Sequence, residues 1–197
     1  MSCLNSMAKE SIIQFIELLT LISSLFIGLL VLLFVLKFVL KKDTKLYQWI
    51  VHFLQDHYLF LGFLVSLIAT LGSLFYSDVM GYPPCKLCWF QRIFMYPQPI
   101  LFLIAMKVKR NTGIIWNSLV LSLIGGLIAG YHYLMQIGIV SEGGCDVVGM
   151  TAKCSEYFGL NYGFITIPMM ALVAFVLLVF MAYGKLRACE GRDIYNK

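Results

Sequence analysis

Apolar residues in this chain come in long unbroken runs, with no period-2 alternation of the kind a half-buried strand shows. A helix needs about 20 apolar residues to cross the hydrocarbon of a bilayer. Five stretches meet or approach that length: Ile12 to Leu40, Tyr58 to Tyr76, Trp89 to Met106, Ile114 to Ile137 and Phe164 to Tyr183. The third is short and contains Pro97 and Pro99, so a bend is expected there. The first exceeds the core of a signal peptide and lacks a small-residue cleavage site after it, so it reads as a retained span. The pattern predicts an all-α membrane protein. It divides into an N-terminal helix and loop (residues 1–56), a four-helix transmembrane core (57–184) and a short tail (185–197).

Composition agrees with that reading. Of 197 residues, 60% are hydrophobic, against about 45–50% in a soluble domain. The polar stretches are too short to fold separately. The formal charge of +5 does not point to nucleic acid, because the basic residues cluster beside the ends of apolar runs, where topology explains them. Lys37, Lys41, Lys42 and Lys45 follow the first run, Lys107, Lys109 and Arg110 the third, and Lys185, Arg187, Arg192 and Lys197 the fifth. The opposite ends are poorer in charge. Positive residues favour the cytoplasm, so the alternation predicts an outside N-terminus, an inside C-terminus and two outward loops that carry cysteines.

Those loops hold the candidate chemistry. One contains Cys85-Lys86-Leu87-Cys88, and the other holds Cys145 and Cys154. Two thiols two residues apart form a couple that cycles between dithiol and disulfide. At a membrane surface, such a couple suggests electron traffic between aqueous thiols and a lipid-soluble acceptor. Two plainer readings stand beside it. Cys145–Cys154 and the CxxC pair are each compatible with loop staples, and the four spacings also permit a zinc site. Thiolate zinc sites suit an oxidising compartment poorly, so no metal is expected. Cys3 and Cys189 fall on opposite sides of the membrane and read as incidental thiols.

Local context favours the redox reading. Pro83 and Pro84 keep the chain extended before Cys85, which predicts a helix start near Cys88, where the positive end of the dipole favours thiolate. Arg92 lies one turn beyond Cys88 on the same face. There it favours thiolate or stabilises charge on a reduced acceptor; the plain alternative is an interfacial arginine that snorkels. His132, near the outer end of the fourth run, is a functional candidate as an intramembrane ionisable group and equally a membrane-interface anchor. Gly126 and Gly130 read as a close helix-packing face. Glu17 and Asp78 are expected near the outer interface.

The run Cys85-Lys86-Leu87-Cys88-Trp89-Phe90-Gln91-Arg92, continued by Ile93-Phe94-Met95-Tyr96-Pro97, resembles the DsbB family of disulfide-bond formation proteins, especially its BdbC-like branch. Tyr131-His132-Tyr133-Leu134-Met135-Gln136 is a second match, and the resemblance covers roughly Tyr58 to Tyr183. It implies a quinone reductase in the bacterial inner (cytoplasmic) membrane that reoxidises a DsbA-like, thioredoxin-fold dithiol oxidase. It also implies disulfides Cys85–Cys88 and Cys145–Cys154. Cys145 would form the mixed disulfide with the partner, Cys154 would exchange with the CxxC, Cys85 would receive that attack, and Cys88 would face quinone. Arg92 and His132 match the quinone-site arginine and histidine. The acceptor would be ubiquinone or menaquinone.

This chain departs from the family pattern by its extra first helix and by a short second loop, which puts the order of exchange between Cys145 and Cys154 in doubt. Three other classes compete. A membrane adaptor with two extracellular staples predicts that Arg92 is replaceable. A vitamin K epoxide reductase-like enzyme has its quinone-facing CxxC after the loop pair, the reverse of the order here. A thiol-exporting reductase needs a cytoplasmic cysteine pair, and Cys189 alone supplies none.

Overall fold

The structure, a computed structural model, describes residues 2–40, 45–108, 112–141, 154 and 165–195. Its regular elements among them are all helices: α1 Ser2–Leu40, α2 Lys45–Asp56, α3 Tyr58–Leu74, α4 Lys86–Met95, α5 Pro97–Lys107, α6 Thr112–Gln136 and α7 Ile167–Tyr195. A five-residue π-turn, Phe75–Val79, prolongs α3. Four helical stretches are long and apolar enough to cross a membrane: Lys9–Leu32, Tyr58–Val79, Thr112–Gln136 and Ile167–Arg187.

The expected third span differs in form. It is divided at Tyr96 into α4 and α5, so neither piece alone has spanning length. Tyr96 N–H still donates to the Arg92 carbonyl at 2.9 Å. Pro97 has no N–H to continue the ladder and starts α5 instead. A second difference is α2, in a stretch where the sequence predicts a loop. Its apolar positions recur at helical spacing, placing Ile50 and Leu54 toward the protein while Trp49 and Phe53 stay exposed. It is tied to α7 by Gln55 Nε2 donating to the Gly184 carbonyl (3.0 Å) and Lys185 Nζ donating to the Gln55 carbonyl (2.8 Å).

Aromatic rings seated on glycines draw the core together. Phe102 of α5 covers Gly62 of α3, where a Cβ would lie 2.5 Å from the ring. Phe175 of α7 covers Gly125 of α6, where a Cβ would lie 2.3 Å away. Both rings are buried, so no larger residue fits without moving them. The close approach expected at Gly126 and Gly130 thus falls one residue earlier. A Cβ added to those two glycines would lie 3.4 and 3.9 Å from α7 side chains, which is ordinary contact. Inside the same core Gln98 donates to Ser122 Oγ (3.0 Å) and accepts from Ser118 Oγ (2.9 Å), satisfying polar groups that no water reaches.

This packing sorts the ends of the bundle. The start of α4, the end of α6 and Cys154 meet at one end. Lys185 joins α2 at the other.

Candidate functional site

Cys85 is the N-cap of α4, one turn earlier than the helix start expected near Cys88. Its extended backbone follows the two prolines, and its sulfur accepts from Cys88 N–H at 3.4 Å. The sulfur therefore stands where a capping oxygen ordinarily does, at the positive end of the helix. Cys88 falls in the first turn with its Sγ 3.1 Å from Cys85 Sγ. Both are free thiols in this structure. A disulfide needs about 2.05 Å between sulfurs, so the CxxC couple is drawn here in its dithiol form.

The two sulfurs look in different directions. Cys85 packs with Met135 and Cys154 and is almost completely buried. His132 Nε2 lies 3.6 Å from Cys85 Sγ and 3.0 Å from the Cys154 carbonyl oxygen. A carbonyl accepts only, so Nε2 carries the proton, and Nδ1 of the neutral ring accepts from Gln91 Nε2 at 3.0 Å. His132 is thus held by a defined network, its single Nε2–H donating to the Cys154 carbonyl and lying 3.6 Å from Cys85 Sγ. The Cys88 thiol proton shared between the sulfurs, opposed by burial and aided by His132, lowers the Cys85 thiol below its ordinary value. An ordinary thiol sits near 8.5. Cys154 is itself disulfide-bonded. Cys145 lies outside the described residues, as do the Cys3 and Cys189 side chains.

Cys88 faces the opposite way, onto a cavity of about 220 Å³. Gln91, Arg92 and Tyr96 of α4–α5 line it, with Ser73 and Tyr76 of α3 and apolar residues of α7. Arg92 is fixed by donating to Ser73 Oγ (3.0 Å) and to the Ser73 carbonyl (3.1 Å). Its guanidinium also lies over Trp89, 5.3 Å from the ring centre. These contacts hold the cation beside Cys88 instead of letting it snorkel. Gly81, at φ +75°, turns the chain so that Tyr82 stacks on Tyr76 and the Tyr82-Pro83-Pro84 segment roofs the cavity. The Tyr76 hydroxyl is buried in the wall without a hydrogen-bond partner. An unpartnered hydroxyl and a held cation in a mostly apolar chamber suit an apolar molecule that carries acceptor oxygens.

The structure therefore brings together Cys85, Cys88, Arg92, His132 and Cys154, residues more than 60 positions apart in sequence at the extremes. His132 does not line the cavity; it stands behind the pair, on the Cys85 side. Three contributors escaped the sequence reading. Gln91 follows Cys88 by three positions, a helical-face signal that was there to be used. Ser73 and Tyr76 come from another helix, and nothing local marks them. Cys85, Cys88 and His132 also have ligand atoms within 4.8 Å of one another, but His132 Nε2–H is already committed to the Cys154 carbonyl.

Comparison with known proteins points the same way. The family described as "Disulfide bond formation protein DsbB" matches residues 55–184. The SPbeta prophage-derived disulfide bond formation protein B of Bacillus subtilis (strain 168) is 41% identical over 116 residues, covering 59% of this chain and 76% of the relative. Probable disulfide formation protein C 1 of Bacillus anthracis is 40% identical over 132 residues, 66% of this chain and 91% of the relative. Disulfide bond formation protein C of Bacillus subtilis (strain 168) is 38% identical over 122 residues, 62% of this chain and 87% of the relative. No solved structure matches. The chain belongs to the DsbB family, as a multi-pass membrane protein with a role in disulfide bond formation.

Proposed function

We propose that this DsbB-family protein is a dithiol:quinone oxidoreductase, which reoxidises a DsbA-like thioredoxin-fold oxidase outside the cytoplasm and passes the electrons to membrane quinone. One observation carries the reading. The CxxC sits between two environments, with Cys85 turned to the Cys154 segment and Cys88 turned to the apolar cavity beside Arg92.

The steps balance as follows. A partner thiolate attacks the Cys145–Cys154 disulfide, and the partner's second thiol resolves the mixed disulfide. The partner leaves oxidised, and Cys145 and Cys154 remain as thiols. Cys154 thiolate then attacks Cys85 Sγ and breaks the Cys85–Cys88 bond. Cys145 closes back on Cys154, leaving the Cys85/Cys88 dithiol. Finally the dithiol gives two electrons and two protons to quinone, yielding quinol and restoring the Cys85–Cys88 disulfide. The acceptor supplies the driving force, since a DsbA-type couple already sits near about −120 mV and net flow needs a higher potential.

Each residue has a defined task in this scheme. His132 Nε2–H and the Cys88 amide stabilise negative charge on Cys85, which makes it a good leaving and receiving sulfur. Arg92 places a fixed positive charge where charge builds on the acceptor. Tyr76 offers its free hydroxyl to an acceptor oxygen. Pro83 and Pro84 exclude water from the chamber. The membrane is the bacterial cytoplasmic membrane, with both cysteine loops outside. A pair of inert staples would not require one sulfur to face a chamber with a held cation, so the adaptor reading explains less.

Anaerobic turnover tests the reading. Purified protein with a reduced DsbA-like donor and a short-tailed quinone should form quinol, and Cys145→Ala should stop turnover while leaving quinone reduction by the pre-reduced CxxC intact. Donor oxidation at the same rate without quinone or oxygen would contradict it.

A further inference from the structure

Helix α1 lies outside the matched family region, which begins at residue 55, and the function proposed above gives it no task. Its placement does. At one end Lys9 Nζ donates to the Val79 carbonyl on the π-turn at 3.0 Å. Further along, Phe26 and Leu30 pack with Ile50 and Leu54 of α2 and Phe180 of α7. Between these two attachments, where Glu17 and Thr20 are buried, α1 lines the cavity onto which Cys88 opens. Ile16, Leu19, Thr20 and Ser23 form that wall. Positions 16, 20 and 23 fall within about 60° of one another on a helix of 3.6 residues per turn, so one face does the work. The opposite face, with Leu18, Ile22 and Leu25, is exposed, as expected of a surface turned to lipid.

The wall is built for a flat occupant. Thr20 and Ser23 are small and look toward Ala69, Gly72 and Ser73 of α3 and toward Ala171 and Ala174 of α7. Ile16 is the near point of contact, its Cδ1 3.9 Å from where a Cβ on Gly72 would sit. Thr20 Oγ1 is spent on the Ile16 carbonyl at 2.9 Å, so this side of the chamber offers shape more than polar contacts, while Arg92 and Tyr76 supply the polar contacts opposite.

We infer that α1 is the lipid-side wall of the acceptor chamber, and that Ile16, Thr20 and Ser23 determine which quinone ring the Cys88–Arg92 site accepts. The inference rests on the quinone reading of the cavity. It assigns the extra helix a specificity role: bulk at positions 20 and 23 narrows the slot, and removing bulk at 16 widens it.

The test uses the full chain in lipid nanodiscs, with a reduced DsbA-like donor and two short-tailed acceptors, a monocyclic benzoquinone and a bicyclic naphthoquinone. Thr20→Leu and Ser23→Leu should raise KM for the bicyclic acceptor about tenfold relative to the monocyclic one, with kcat little changed. Ile16→Ala should move the ratio the other way. Leu25→Ala, on the outer face, should leave it unchanged. Exchange between donor and protein disulfides without quinone should proceed normally in all four, which certifies that they are folded. An unchanged KM ratio in every wall variant, in protein that does reduce quinone, overturns the wall assignment alone. Wild-type protein that reduces neither quinone overturns the oxidoreductase reading and this inference with it.

Discussion

The α6–α7 interface and the seat of α1 show two ways of packing a helix in one small protein. Between α6 and α7 a buried ring fills the only space a missing side chain leaves, so Gly125 tolerates no Cβ. On α1, Gly28 has nothing within 4 Å of its would-be Cβ. The helix meets the bundle at Lys9, at the buried Glu17 and Thr20, and at Phe26 and Leu30, and an open cavity remains along one side of it. Tight packing holds the CxxC at the head of α4 against His132 of α6. The gap left under α1 is where a small molecule can reach Cys88. Scaffold and chamber are thus separate regions, and substitutions should affect them separately.

The largest expected effect is at the chamber sulfur. Cys88→Ser should reduce quinone turnover to the level without protein, because neither a hydroxyl nor the lone Cys85 thiol can complete a dithiol/disulfide cycle. Next comes Arg92→Gln, which removes the fixed cation but keeps a hydrogen-bonding side chain. It should cost about tenfold or more in kcat/KM for quinone, equivalent to about 1.4 kcal/mol, while donor exchange continues. An equal loss in both half-reactions would mean that Arg92 supports the fold and not the acceptor.

Stability should follow the other side of the comparison. Gly125→Ala forces Phe175 out of its seat and should destabilise the protein by about 1–3 kcal/mol, read as a lower midpoint of thermal unfolding in detergent. Gly28→Ala, on α1, should leave that midpoint unchanged or raise it slightly, since helix propensity favours alanine. Equal effects at the two glycines would remove the distinction between the tight α6–α7 interface and the open surface of α1.

The smallest effect is a titration. With the Cys85 thiol lowered by the Cys88 thiol and His132, its thiolate persists below the pH at which an ordinary thiol, near about 8.5, is already protonated. Alkylation of Cys85 in the reduced protein, followed by mass spectrometry, should therefore persist to lower pH than alkylation of an ordinary thiol. The same lowering stabilises the reduced fold fully above about pH 8.5 and progressively less as pH falls below it. His132→Ala should move the alkylation midpoint upward, because the Nε2–H donor is lost.

Much of this was legible in the chain because lipid imposes simple rules. Length and hydropathy give the spans, and the four stretches of spanning length fall within or across the expected runs. The CxxC and Arg92 announce themselves by spacing on one helix. What escaped was the work of long-range packing. Pro97 divided a span that hydropathy alone made continuous. Helix α2 was hidden because at 12 residues it is too short to span, although Leu46, Trp49, Ile50, Phe53 and Leu54 recur at helical spacing. The tautomer of His132, and its place behind Cys85, depend on a carbonyl 22 positions away in sequence. The contribution of α1 to the chamber could not be read from its own residues, since Thr20 and Ser23 acquire meaning only opposite Gly72 and Cys88.

The most direct test of the central claim is an anaerobic single turnover of pre-reduced protein with a short-tailed quinone, with no donor present. The account predicts one quinol formed for each pair of thiols lost, with the new disulfide mapped to Cys85–Cys88. Quinone that stays oxidised while both thiols remain free, in protein whose Cys154 disulfide is intact, would contradict it.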